Sequence, residues 1–348
     1  MTANDGAPEP SPRAAIFGCT GFSLSPWERS FFTETGPAGF ILFQRNCQDP
    51  DQVRALIEEM RDCAGRPDTL VLIDQEGGRV ARLGPPHWRT PPAAVRFAEL
   101  YANNPESARQ AAFLNARLIA HELAALGINV DCLPVLDIPV AGADPVIGDR
   151  ALGRTPGQIA DLGGVLCDGL IEGGVLPVIK HIPGHGRARV DSHKALPRVD
   201  ASLAELDATD FAPFRSLAQM PMAMTAHVIF SAVDGDAPVT LSDAAIGTLI
   251  RMRIGFEGLL LTDDLSMQAL SGGLGTRARR AIEAGCDIVL HCNGERQEME
   301  AVASATSHIS AQGAMRLQSA LDRIQAPKKL DDFDAAAAAA RLDEYLSV

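Results

Sequence analysis

Residues Lys180 to His193 read Lys-His-Ile-Pro-Gly-His-Gly-Arg-Ala-Arg-Val-Asp-Ser-His, so three histidines, a lysine and an aspartate fall within one short stretch. Pro183, Gly184 and Gly186 interrupt it, which predicts an irregular segment. Just upstream, Val175 to Ile179 is an apolar run of strand length, so Lys180 and His181 fall at a strand's carboxyl end and the glycines open a loop. Taken singly, each histidine could be a solvated loop residue. Taken together, His181, His185 and His193 could converge on a metal ion, but the His-x-x-x-His spacing here spans Pro183 and Gly184. That rules out the helical geometry of zinc peptidases, and no metal is expected. The reading that best uses the residue types pairs Asp191 with His193. A carboxylate two residues away can accept the imidazole N–H, fix its tautomer and raise its basicity, giving a proton-transfer dyad.

Two other clusters sit where apolar runs end. Leu70 to Ile73 runs into Asp74-Gln75-Glu76-Gly77-Gly78-Arg79-Val80-Ala81-Arg82, and this crowding of carboxylates and arginines suggests a pocket rim, with a solvated Asx turn as the plainer alternative. Leu259 to Thr262 runs into Asp263-Asp264-Leu265-Ser266-Met267, which puts two adjacent carboxylates where barrel enzymes carry catalytic groups. Asp264 or Ser266 could instead cap the following segment. Alternation does not choose between the two aspartates, because both faces of the strand are apolar.

The elements that must position these groups alternate along the chain. Short apolar runs predict strands over 14–18, 39–43, 70–73, 128–133, 175–179, 222–225, 258–262 and 287–291. Helical spacing or good helix formers mark 51–63, 105–126, 155–172, 203–217, 242–253 and 276–284. Eight strands, most followed by a helix, predict an α/β fold of the (β/α)8 barrel type with extra C-terminal helices. No strand-linked Gly-x-Gly-x-x-Gly supports a dinucleotide-binding sheet. The whole chain, 1–348, reads as one catalytic barrel, with about 1–12 frayed and about 295–348 a helical tail packed on the barrel.

Composition limits the partners. The chain has 348 residues, 46% hydrophobic, with a formal net charge of -13. Such a surface offers nucleic acid or an anionic membrane no favourable long-range field, so any anionic ligand must be held by a local basic cluster. Seven cysteines without paired spacing fit a reducing compartment. The start of the chain has neither a basic n-region nor an apolar h-region, and no long apolar window follows, so the expected location is cytoplasmic. Nothing fixes the oligomeric state.

The run Lys-His-x-Pro-Gly-His-Gly followed by Asp-Ser-His resembles the signature of the family 3 glycoside hydrolases that act as β-N-acetylglucosaminidases in bacterial peptidoglycan recycling. Asp-Gln-Glu-Gly-Gly-Arg-Val, Ile-Gly-Asp-Arg (147–150) and Thr-Asp-Asp-Leu-Ser-Met are similar to further motifs of that family and occur in the expected order between about Asp74 and Cys292. Ile182, where Phe is frequent, is a conservative departure. The resemblance implies that Asp263 attacks the anomeric carbon and that Asp191 and His193 form the general acid/base. It also implies that Asp74, Arg82 and Arg150 bind sugar, and Lys180 and His181 would add donors to hydroxyls and the acetamido group. A retaining glycosidase normally uses two carboxylates, and here His193 would replace the second. The implied substrate is N-acetylglucosaminyl-anhydro-muramyl sugar, with or without peptide, and no cofactor is called for. A phosphorolytic or broader β-glycosidase of the same fold and a non-catalytic carbohydrate-binding barrel remain as alternatives.

Overall fold

The computed structural model describes residues 11–325 and 333–347. The predicted frayed start therefore lies almost wholly outside the described residues. Eight parallel strands close into a barrel: β1 (Arg13–Phe17), β2 (Pro37–Leu42), β3 (Leu70–Ile73), β4 (Val130–Asp131), β5 (Leu176–Ile182), β6 (Met222–Thr225), β7 (Leu259–Asp264) and β8 (Ile288–His291). Each strand pairs with its sequence neighbours, and β8 pairs with β1 to close the ring. This is the (β/α)8 architecture that the spacing predicts.

Most strand positions on both faces are apolar because both faces are covered. Leu70, Leu72, Leu176, Val178, Leu259 and Leu261 pack into the barrel interior, while Val71, Ile73, Ile179 and Leu260 join the core beneath the helices. Strand parity then carries inward beyond the apolar positions, to Asp74 on β3's exit, Lys180 on β5 and Asp263 on β7.

The helices follow local signals where these exist. Asp49 caps Pro50–Ala64 by accepting from the Asp51 and Gln52 amides, and Thr155 caps Pro156–Glu172. Two further helices lie outside the expected set: Pro26–Thr35 carries a Ser25/Glu28 capping box, and Ala94–Asn103 has no side-chain cap. Several expected boundaries are corrected. β5 continues through Lys180 to Ile182, so the histidine segment begins as strand rather than loop. Regular pairing in β4 covers only Val130–Asp131, before Pro134 with its missing N–H. The 203–217 helix is two, Leu203–Ala208 and Phe211–Ser216, because Pro213 cannot donate back to Thr209 and the chain turns between them.

The C-terminal tail is helical over Arg296–Ala305, Ala311–Gln325 and Ala335–Leu346. Leu317, Ala320 and Leu321 of the second pack with the barrel-interior residues. Arg316 donates to the Glu257 carbonyl (3.0 Å) and Arg323 to that of Gln219 (2.6 Å), just ahead of β7 and β6, so this helix floors the barrel at the strands' amino ends. Among the described residues no helix is long and apolar enough to cross a membrane.

Candidate active site

A cavity of about 410 Å³ opens at the carboxyl ends of the strands. Asp74, Arg82, Arg150, Lys180, His181, His193 and Asp263 all line it, together with Glu76, Arg45 and Asn293. Of the eight residues expected to act in catalysis or sugar binding, only Asp191 does not line the cavity, and it reaches it through His193. An apolar floor of Met224, Leu290 and Cys292 separates the polar groups from the barrel core.

One wall is an ionic cluster. Asp74 accepts from Lys180 Nζ (2.8 Å) and Arg82 (2.9 Å); Glu76 pairs with Lys180 Nζ (2.7 Å) and accepts two bonds of 2.8 Å from Arg150. Glu76 was not singled out from sequence, yet it bridges Lys180 and Arg150. Burial pushes the Asp74 carboxyl up, but Lys180 and then Arg82 outweigh it and hold it well below the usual carboxylate range. For Lys180, burial favours the neutral amine, but Asp74 and Glu76 overcome that and keep the ammonium charged. The cluster is thus pre-organised: its donors and acceptors are fixed before any ligand arrives. Beneath it, Asp131 accepts the Gln75 backbone N–H (3.0 Å) and no other hydrogen bond among the described residues, and burial raises its carboxyl to about 8.

The two aspartates at the end of β7 have different jobs. Asp264 Oδ1 accepts from the amides of Ser266 (3.0 Å) and Cys292 (3.2 Å), and its Oδ2 accepts from the Ser266 hydroxyl. It is committed to the turn. Asp263 Oδ1 accepts only the Asp264 amide (2.8 Å), and no hydrogen bond reaches its Oδ2 among the described residues. Burial raises the Asp263 carboxyl, but His181, His227 and the Asp264 amide outweigh this and keep it below its ordinary value, so the group facing the cavity is an anion. Buried His227 braces the turn, with Nδ1 2.7 Å from Thr240 Oγ1 and Nε2 3.0 Å from the Asp264 carbonyl.

The opposite lip is the loop that follows β5. Asp191 Oδ1 accepts from both the backbone N–H (2.9 Å) and Nδ1 (2.8 Å) of His193. These bonds outweigh the effect of burial and lower the Asp191 carboxyl. With Nδ1 engaged, Nε2 is the atom left for proton exchange, on a ring whose side chain is 66% exposed. Arg187 roots the loop by donating to Asp210 (2.7 Å) and Thr209 (3.1 Å), in the break between the two short helices. His185 turns inward to Ser192 rather than toward His193. Among the described residues no group of three His, Cys, Asp or Glu side chains is arranged to hold a metal ion.

A carboxylate anion with a free oxygen and a solvent-facing imidazole, set across one cavity, can serve as nucleophile and proton donor to a bond held between them. Residues 23–326 match the glycosyl hydrolase family 3 N terminal domain. A β-hexosaminidase of Alkalilimnicola ehrlichii is 40% identical over 298 residues, covering 84% of this chain and 83% of its own. NagZ from Neisseria gonorrhoeae in complex with N-trifluoroacetyl-D-glucosamine superposes with a TM-score of 0.86 at 33% identity, over 98% of this chain and 100% of that one. The same protein in complex with zinc ion gives a TM-score of 0.85 at 32% identity, with the same coverage.

Proposed function

The chain belongs to glycosyl hydrolase family 3, in its β-N-acetylglucosaminidase branch, and from that premise we propose a retaining exo-glycosidase that removes terminal β-linked N-acetylglucosamine from peptidoglycan turnover fragments. The observation that carries this is the cavity shared by Asp263, with one oxygen unengaged, and by the Asp191–His193 pair.

In the first step Asp263 attacks the anomeric carbon as the glycosidic C–O bond breaks, and protonated His193 gives its Nε2 proton to the departing sugar oxygen. In the second, neutral His193 takes a proton from water as that water displaces the Asp263 ester. Asp191 holds the imidazole by Nδ1 throughout. Arg82, Arg150, Lys180 and His181 bind hydroxyls and the acetamido group, and Asp74 accepts from hydroxyls. The N-acyl glucosamine bound by the gonococcal relative supports that choice of sugar. The anhydro-muramyl aglycone rests on the resemblance of the motifs.

That relative also binds zinc; for this chain we read metal as unnecessary, since nucleophile and proton donor are both side chains. The whole chain acts as one catalytic unit in the cytoplasm, where its seven unpaired thiols would stay reduced. The test is to offer N-acetylglucosaminyl-anhydro-muramic acid, with and without peptide, beside an aryl N-acetylglucosaminide and an aryl glucoside, each with and without phosphate. NMR of the first-formed sugar reads its anomeric configuration. β-N-acetylglucosamine released in water is the expected result. An α-anomer, a sugar phosphate or preference for the glucoside would overturn the reading.

A further inference from the structure

Asp137 was not singled out as a functional residue from sequence. It is fully buried and takes no part in the ionic cluster. Its Oδ2 lies 2.6 Å from His181 Nδ1, and its Oδ1 accepts the His185 backbone N–H at 2.6 Å. The His181 backbone N–H adds long contacts of 3.4 Å to both oxygens. One carboxylate therefore ties the end of β5 to the root of the histidine loop. Burial alone would raise this carboxyl, but His181 and His185 outweigh it, so an anion faces the ring. A carboxylate can only accept, which makes Nδ1 the protonated nitrogen of His181. The ring lines the cavity, and no hydrogen bond reaches its Nε2 among the described residues.

We propose that Asp137 is a positioning residue that fixes His181 in its Nδ1–H tautomer, so that Nε2 presents a lone pair to the cavity and accepts a hydrogen bond from one hydroxyl of the bound sugar. This rests on the reading of His181 as a sugar contact. Lys180, Arg82 and Arg150 are donors without any acceptor capacity. A sugar hydroxyl that bonds to one of them must itself donate elsewhere, and His181 Nε2 is an acceptor beside them.

Asp137→Asn makes the idea testable, because the amide can satisfy only one of its two partners in the native way. The His185 backbone N–H cannot give up its proton, so the oxygen of the introduced amide must stay with it and the NH2 must face His181 Nδ1. The imidazole can adapt and would switch to Nε2–H, losing its acceptor. A buried carboxylate replaced by an amide next to a histidine has the same consequence in serine proteases.

The experiment combines 15N NMR of the imidazoles, in wild type and Asp137→Asn, with kinetics on aryl N-acetylglucosaminides lacking the 3-, 4- or 6-hydroxyl. Wild type should show a protonated Nδ1 and an unprotonated Nε2 for His181, and Asp137→Asn the reverse. One of the three deoxygenations should lower wild-type kcat/KM by roughly 100-fold, the scale of a lost hydrogen bond in a site built to make it. The same deoxygenation should cost Asp137→Asn less than about 3-fold, because the bond is already gone. An Nε2–H His181 in wild type overturns the proposal even if the variant does not fold. So does a variant that folds and keeps Nδ1–H, or equal deoxygenation costs in both proteins. If wild type cleaves none of these glycosides, the proposed function fails, and the nitrogen shifts still decide the tautomer.

Discussion

Ser192 sits between Asp191 and His193 and holds its hydroxyl 3.0 Å from His185 Nε2. Its carbonyl accepts from the Ala269 N–H at 3.1 Å, so the segment carrying an exposed His193 is pinned at its centre by a residue only 4% exposed. Burial lowers His185 to about 4, so that ring is neutral through the neutral range and does not repel the neighbouring cations.

Removing that pin should loosen the loop without unfolding the barrel. Ser192→Ala forfeits one hydrogen bond, about 1 kcal/mol, and should lower kcat on the proposed disaccharide substrate by roughly 5- to 10-fold. Amide exchange in 188–195 should quicken while the melting temperature stays nearly constant. Unchanged kcat and exchange would show that the loop is held elsewhere.

The two aspartates of β7 should separate cleanly. Asp263→Asn should keep the melting temperature and lose on the order of 10⁴-fold in turnover. Asp264→Ala gives up the turn's three bonds and should be destabilised by about 2–3 kcal/mol. Intact mass and peptide mapping after trapping with a fluorinated slow substrate should put the label on Asp263; a label on Asp264 would reverse the assignment.

Loss of the acid should be felt according to the leaving group. An alkoxide needs a proton, which the proposed mechanism draws from His193, whereas a nitrophenolate leaves with little help. His193→Ala should slow the disaccharide far more than an activated aryl glycoside, and azide should rescue the step that needs the base. Asp191→Ala should show a milder version of the pattern, since the ring remains. An equal loss across a leaving-group series, with no azide effect, would make His193 a binding or structural residue.

Stability should carry the signature of Asp131. In the unfolded chain this carboxyl ionises near 4, whereas in the folded protein burial keeps it protonated up to about 8. Between those values the unfolded state has released a proton that the folded state keeps, so Asp131 subtracts from stability as pH rises through the window. Asp131→Asn cannot ionise, so its melting temperature relative to wild type should climb from pH 4 to pH 8. A flat or falling difference would mean that the carboxylate is ionised in place.

Prolonged dialysis against EDTA should leave activity intact. Stoichiometric metal in the purified protein, with activity lost on its removal and restored on its return, would revive a metal role for the histidines.

Fold and cavity were legible to different depths. The eight strands show as apolar runs because a parallel barrel buries both strand faces, and the same fact hid the choice between Asp263 and Asp264. Once Leu259 and Leu261 are known to point inward, parity favours Asp263. Helix Pro26–Thr35 could have been found from Ser25-x-x-Glu28, whereas Ala94–Asn103 offers no cap to read. Glu76 and Asp137 acquire meaning only through partners far along the chain, Arg150 and His181, and no local pattern announces such pairs.

The seam between β1 and residues 303–309 has a consequence for synthesis on the ribosome. Ala14 donates to the Ser307 carbonyl (2.9 Å), Ile309 donates to that of Pro12 (2.8 Å), and Arg13 reaches the Ala303 carbonyl (2.6 Å). β1 therefore waits for β8 and for the segment through Ile309, and until β8 is made the edge of β1 that faces it is an unpaired ladder. Contacts this distant in sequence make closure slow. Until β8 has been made, that open edge leaves the partly folded chain prone to pair with other strands.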